Sequence, residues 1–415
     1  MHILYISEDI PFNGYSGSSA VAYELIKFFK KQEHKVTLCV DFAGINKEDK
    51  DKQISLLKKD NFNFIDLNLN QKKEIKKRNF LSKIIYPSLN NFFPNCIYKD
   101  EFSFIINKSI KTIKPDVVFA YGFTAIYLTN EITTIPRFAP MCEHPFAIQF
   151  SNLRSNVLDW NFRSLINLYQ SFRIMKQIKY YYKNCNLLGH SSEDFRQMFL
   201  KSGLKKIKYY NHPVNNSGSL NYILNNTPIN KKFKIILLGA LSSVTTAQYI
   251  VLQKIILPKL KKIMPKDSFE IHLIGAKKNS RFKKLYDDKY IIWRGYVDNI
   301  EMDLSSCDIF LSPTPNKYGL RVRLIHAMIQ GCLVVTTKYD EDAFPLIKNN
   351  FNALVANCLI DIPDIIFKSY NNLKLRKSIS FNAKQSTEKF CFTDNASRVY
   401  EKDMLDLVED YYEKK

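Results

Sequence analysis

The chain has 415 residues, 46% of them hydrophobic and 24% charged, with a formal net charge of +21. That length exceeds one ordinary core and suits two α/β domains of roughly 200 residues each, and the composition excludes a disordered chain. No apolar run approaches the roughly 18 residues that span a bilayer, and no basic leader precedes the first strand. The eight cysteines lack the paired spacing of a disulfide framework or zinc site, so a cytoplasmic location is expected.

In chain order, HILYIS reads as a buried first strand, followed by the polar glycine turn Asn13 to Ser19. Ala20 to Lys31 repeats Val21, Leu25, Phe28 and Phe29 at helical spacing, and KVTLCVDFA reads as a second strand. From Asn46 to about Lys114 the pattern is lysine-rich and mixed, suggesting helices and a variable insertion. PDVVFAYGF is a further buried strand, and PRFAPMCEHPF another with a charged tip at Glu143 and His144. A helical region from Asn152 to Lys183 leads to a short strand ending in Ser191 and Ser192, where Ser192 is placed to cap the next helix.

Asn211 to Lys232 is rich in Asn, Ser, Gly and Pro and reads as an interdomain linker. The alternation then restarts: KIILLGAL a strand, Thr246 to Lys262 a helix, FEIHLIGA and YIIWRGYV strands, and a helical region from about Phe367 to the end. The most telling segment runs from Asp308 to Asp340, DIFLSPTPNKYGLRVRLIHAMIQGCLVVTTKYD. An apolar strand ends at Pro313. Gly319 and the pair Arg321 and Arg323 follow, then a helix through Leu324, Ala327 and Met328, closed by Gly331 before the strand CLVVTT. In such a βαβ unit the helix start faces the strand ends, where free N–H groups and the helix dipole attract anions. The two arginines add charge that forks onto phosphate oxygens, so a phosphate or nucleotide site is expected here.

These residues resemble the GT-B glycosyltransferases, and more specifically glycosyltransferase family 4 and its bacterial cell-surface polysaccharide members. YGLRVRLIHAMIQGCLVVTT is similar to that family's G-x-R-x-K-x-x-E-A-x-x-x-G-x-P-V-V segment, and FPLIKNNFNALVAN to the stretch that follows it. GALSSVTTAQYIVLQKIILPKL is similar to the opening of the donor domain. The resemblance implies two Rossmann-like α/β domains facing a central cleft. Residues 1–214 would form the acceptor domain, 215–232 the linker and 233–395 the nucleotide-sugar donor domain. Residues 396–415 would form a helix packing back on the first domain.

It also implies a hexosyltransferase-type reaction that retains the anomeric configuration, from a nucleotide-diphosphate sugar to a glycan or lipid-linked acceptor in surface polysaccharide or glycoconjugate synthesis. Donor contacts would come from Gly14, Gly17, Ser18, Gly239, Ser242, Gly319, Leu320, Arg321, Arg323 and His326, and catalytic contacts from Glu143, His144 and Arg321. The chain departs from the family pattern at the glutamate pair: His326 and Tyr318 stand in its two positions. His326 is then either a protonated phosphate ligand or a helix residue without a ligand role. The family's Arg and Lys after the strand-ending glycine are missing too, leaving Ser242, Ser243, Thr245 and Thr246 as hydroxyl donors toward phosphate.

Asp116 and Asp308 precede strands and read as capping or turn residues. No Asp-x-Asp cluster suited to Mg²⁺ is present, so neither a metal nor another cofactor is expected. The basic runs Lys72–Arg78, Lys259–Lys262 and Arg281–Lys284 carry no aromatic stacking platform, so nucleic acid is not an expected partner. The positive charge is either a solvated lysine surface or a means of attraction to an anionic membrane surface at the inner face. Three rival readings stay open: a non-catalytic relative that binds a glycan or partner; a sugar-nucleotide epimerase, which needs cleft carboxylates as acid and base; and a nucleic-acid-binding module, which would use the charge but leaves the phosphate-type βαβ unit unexplained.

Overall fold

A computed structural model of the chain describes residues 1–7, 11, 17–40, 47–67, 99–141, 144, 149–150, 162–215, 232–240, 243–275, 278–297 and 299–415. Two parallel sheets organise it. The first contains β1 (His2–Ser7), β2 (Lys35–Val40), β3 (Asn63–Asp66), β4 (Val117–Tyr121), β5 (Arg137–Met141), β6 (Leu187–His190) and β7 (Ile207–Tyr209), in the order β3-β2-β1-β4-β5-β6-β7. The second contains β8 (Phe233–Leu238), β9 (Phe269–Ile274), β10 (Ile291–Gly295), β11 (Ile309–Leu311), β12 (Leu333–Thr337) and β13 (Leu354–Ala356), in the order β10-β9-β8-β11-β12-β13.

Strands buried on both faces by crossover helices read as continuous apolar runs, as VVFAY in β4 does. Alternate residues serve opposite faces. In β1, Ile3 and Tyr5 join one core and Leu4 and Ile6 the other, and in β8 Ile235 and Leu237 face away from Ile236. Strand order reverses direction between β1 and β4 and again between β8 and β11. Those two switch points open crevices at the carboxyl ends of the strands, the expected place for a ligand.

Several sequence expectations need correction. Strands β3, β7 and β13 are not distinguished by the sequence pattern, and all three are short edge strands. An edge strand of three or four residues has too little apolar run to mark it. The segment read as mixed helices and insertion holds helix Lys47–Lys59, β3 and helix Lys99–Ile113, while 68–98 lie outside the described residues. The first long helix begins at Gly17 rather than Ala20, so Gly17 starts a helix instead of lying within a turn. The single helix expected over Thr246 to Lys262 is a run from Ser243 to Ile263 interrupted by a π-turn at Leu252–Ile256. Pro258 follows at once; its ring removes an N–H and crowds the carbonyl four residues back, and a widened turn relieves this.

Helix Thr393–Glu413 lies on helix Gly17–Lys31. Its Tyr400 and Met404 enter the core beside Phe28 and Phe29, and His34 meets Glu401 at 2.7 Å. The chain passes between the sheets twice, and the two passages pair through a parallel bridge at Val214 and Phe392. At the amino ends of the sheets, Asp116 and Asp308 act on backbone, as expected: Asp116 accepts from His2 N–H at 2.6 Å and Asp308 from Lys234 N–H at 2.9 Å.

Candidate functional site

The crevice of the second sheet is built around Arg323, in the first turn of helix Val322–Ile329. Its Nη1 donates to the carbonyl of Leu238 at the end of β8 and to Thr245 Oγ1 at 3.1 Å, and its Nη2 donates to Gln248 Oε1 at 2.8 Å. Gly239 makes this seat. A Cβ there would stand 1.7 Å from Arg323 Nη1, and the residue's φ of +150° is itself unfavourable for an L side chain.

Behind the arginine runs a buried relay. Gln248 Nε2 donates to Thr314 Oγ1 at 3.0 Å, and Ser312, Thr314 and Thr336 all donate to Asp340 Oδ2, at 2.7, 2.9 and 2.6 Å. Asp340 therefore fixes the hydroxyls that fix Gln248, and Gln248 fixes the guanidinium. Charge-assisted bonds of this kind contribute about 1.5–3 kcal/mol each, so the rotamer of Arg323 is set before any ligand arrives.

Arg321 stands at the N-cap position of the same helix. It donates to the Tyr318 carbonyl and lies over the Tyr318 ring at 5.6 Å, and its buried Nε has no hydrogen-bond partner among the described residues. Burial lowers the pKa of both arginines, to about 10 for Arg323, whose second cause is repulsion from Arg321. At about 10, Arg323 keeps its charge at neutral pH. Among the described residues neither forms an ion pair, so the positive charge of this crevice is not neutralised by contact with a carboxylate.

The loop before the helix meets the first sheet. Gly319 adopts φ +75°, and a Cβ there would stand 3.2 Å from Phe195 Cε2 and 3.4 Å from Ser192 Oγ. Leu320 packs on the second domain's core and Val322 on the first domain's. On that opposite wall, Ser192 N–H donates to His190 Nδ1 at 2.7 Å, which places the proton of a neutral His190 on Nε2. Ser192 occupies the N-cap position of helix Glu193–Lys201, but its hydroxyl does not cap the helix as expected; it donates to Asp194 Oδ1. Asp194 Oδ1 also accepts from Phe195 N–H at 2.8 Å, and the short acid two residues into the segment captures both groups. Asp194 Oδ2 is buried without a partner among the described residues, and burial raises this carboxyl's pKa against the pull of its hydrogen bonds.

His144 reaches the same wall from the segment after β5. Its ring lies 4.6 Å from Phe199 and 5.9 Å from Phe195. Burial, assisted by Lys179, depresses its pKa to about 4, so it is neutral at pH 7. A side chain at Gly319 would meet Phe195, whose ring lies beside His144, so the three residues line up across the gap between the sheets. His326 sits one turn beyond Arg323. Burial lowers its pKa, with Glu301 pulling the other way, and it in turn helps depress His212, which burial pushes down to about 4. Of the two readings open for His326, burial opposes the protonated one.

Of the other residues singled out in the sequence, Gly14, Glu143 and Ser242 lie outside the described residues, as do the side chains of Ser18 and Ser243. Thr245 is a correction: its hydroxyl receives Arg323 instead of facing an open phosphate position, because the arginine fills the space over Gly239. Sequence reasoning missed Gln248, Thr314, Thr336 and Asp340. Their one visible signal is the polar Thr336-Thr337 end of an otherwise apolar strand, with Asp340 one helical turn on. Among the described residues no group of three or more His, Cys, Asp or Glu could hold a metal ion, and no helix is long and apolar enough to cross a membrane.

Comparison with known proteins gives residues 232–364 as a match to the glycosyl transferases group 1 family. No curated protein matches the chain. Similar solved structures include a glycosyltransferase from Rickettsia africae, with 15% identity, a TM-score of 0.66 and 98% of each chain covered. Anabaena HepE in complex with UDP-glucose aligns with 13% identity and a TM-score of 0.63, over 98% of this chain and 100% of that one. A mutant of S. aureus TarM in complex with fondaparinux, alpha-GlcNAc-glycerol and UDP aligns with 11% identity and a TM-score of 0.66, over 98% of this chain and 99% of that one. At such identities the likeness speaks to the fold, which is that of the GT-B glycosyltransferases.

Proposed function

We propose that this chain is a glycosyltransferase that moves a sugar from a nucleotide-diphosphate sugar to a hydroxyl of a glycan or lipid-linked acceptor, in surface polysaccharide or glycoconjugate synthesis. The observation that carries this reading is the pair Arg321 and Arg323, set at a helix start in the switch-point crevice with no ion-pair partner among the described residues. Departure of a nucleoside diphosphate leaves negative charge on its terminal phosphate. Two fixed guanidinium groups and the first N–H groups of the helix stabilise that charge without reorganising. The scheme places the leaving-group charge on these groups and routes no step through a metal.

The donor would lie between Gly239, Gly319 and Leu320 of the second domain and Gly17 of the first, with Gly14, Ser18 and Ser242 as the further contacts that the resemblance implies, His326 as a neutral imidazole toward the nucleoside and Tyr318 in place of a carboxylate. His144, kept neutral by burial, would accept or donate one hydrogen bond to the transferred sugar, and the resemblance implies a catalytic contact from its chain neighbour Glu143 as well. The resemblance to family 4 supports a retaining outcome, in which the acceptor hydroxyl attacks from the face the diphosphate leaves. Closure of the two walls at Gly319 and Phe195 would exclude water from that step. A cytoplasmic site of action belongs to the same proposal.

UDP is the first nucleotide to test, since HepE and the TarM mutant are both seen in complex with it. Titration calorimetry with UDP, GDP and a panel of their sugars should give binding, and a matched acceptor should release free nucleotide. The replacement of both glutamates by Tyr318 and His326 keeps a non-catalytic relative in view: binding without turnover for every acceptor would favour it. Inversion of a sugar carbon without transfer would favour an epimerase. No binding to any nucleotide sugar overturns the reading.

A further inference from the structure

We propose that the outer faces of helices Phe162–Lys183 and Lys99–Ile113 form a docking surface for an anionic phospholipid bilayer. Helix Phe162–Lys183 has 22 residues and contains no Asp or Glu. Its inward stripe is accounted for: Ile174, Met175, Ile178 and Tyr182 belong to the core of the first domain. Its outward stripe carries Tyr169, Phe172 and Tyr180, which are 47%, 65% and 59% exposed, interleaved with exposed Arg173, Lys176 and Lys183. The spacing 169, 172, 173, 176, 180, 183 follows one helical face about 20 Å long.

Helix Lys99–Ile113 repeats the theme. Phe104, 74% exposed, shares a face with exposed Lys108 and Lys111. Both helices pack against the short helix Phe123–Leu128 and feed the same core, so the two stripes lie on one side of the first sheet. Among the described residues, the acids on these elements and their turns are Asp100, Glu101, Asp116 and Glu131, and Asp116 is held by the backbone N–H of His2.

Burial in the fold does not require rings on the solvent face, and a merely solvated face would carry polar residues of both signs. Rings at headgroup depth with lysine and arginine between them match the chemistry of a bilayer interface that bears negative charge. Each basic group near such a surface strengthens binding by about fivefold. None of the residues in these stripes is among those assigned to the donor site, so this inference stands or falls independently of the proposed function.

Co-sedimentation of the full chain with vesicles of phosphatidylcholine, with and without phosphatidylglycerol, tests it. The expected result is binding to the anionic vesicles alone, weakened by salt. Lys176→Glu with Lys183→Glu should lower the partition coefficient at least about tenfold. Phe104→Ser with Phe172→Ser should lower it severalfold, and circular dichroism should show both double variants folded. Lys283→Glu with Lys284→Glu, a charge-matched change in the other domain, should alter it less than about twofold. Equal loss from that control, equal binding to neutral vesicles, or no vesicle binding would overturn the proposal. Retention on an oligonucleotide column without vesicle binding would overturn it in favour of nucleic acid.

Discussion

The two sheets are alike at one end and unlike at the other. At their amino ends the same device recurs: Asp116 N–H donates to His2 O at 2.8 Å while its carboxylate takes the His2 N–H, and Asp308 N–H donates to Lys234 O at 2.9 Å while its carboxylate takes the Lys234 N–H. In both halves an acid before the strand on the far side of the switch point ties down the first strand. At the carboxyl ends the resemblance stops. The first sheet presents His190, Ser192 and Asp194 backed by Phe195, Phe199 and a neutral His144. The second presents Arg321 and Arg323, the latter held by Gln248 and a hydroxyl set gathered on Asp340. The shared topology determines where a ligand lies, and the divergent strand ends determine which charge each wall offers it.

The largest expected effect tests the neutral histidines. His144 and His212 titrate at about 4 in the folded chain against an ordinary 6.5. Below pH 6.5 the unfolded chain takes up protons that the folded chain refuses, so stability falls as pH drops and the loss is complete near pH 4. Each group accounts for about 3 kcal/mol. Urea unfolding at stepped pH should show this slope, and His144→Gln with His212→Gln should flatten it. A flat profile in the parent chain would show that these imidazoles are not buried in neutral form.

Next is the seat of Arg323. Gly239→Ala places a methyl group on the guanidinium and should weaken UDP binding about a hundredfold by calorimetry, as should Arg323→Ala. Retained affinity in both would remove the arginine wall from the comparison. Arg321→Ala should weaken UDP about tenfold, while Lys283→Ala should change it less than about twofold. Equal effects would reduce the crevice to general electrostatics. The smallest effect belongs to Asp340→Asn, which keeps the shape but exchanges a charged acceptor for a neutral one. Thermal unfolding should register a loss of about 1 kcal/mol, and UDP affinity should fall a few-fold as Gln248 loosens. An unchanged melting temperature would show that the three hydroxyls find equal partners elsewhere.

Much of the scaffold was written locally. Continuous apolar runs mark the central strands, helical spacing marks Val21 to Phe29, and Gly319 with two arginines before a helix marks the anion-binding turn, because each signal comes from a few neighbouring residues. Edge strands β3, β7 and β13 escaped because three or four residues leave too short an apolar run to mark a strand. The partners of Arg323 escaped for a different reason. Gln248, Thr245 and the Leu238 carbonyl lie 75 or more residues away along the chain and become its ligands only when β8 and β11 pair. Composition and periodicity by themselves determined two α/β halves and a basic glycine turn. Which hydroxyls serve an arginine and which acid gathers them was decided by tertiary packing, since hydrogen bonds depend on directions and distances that sequence spacing does not carry.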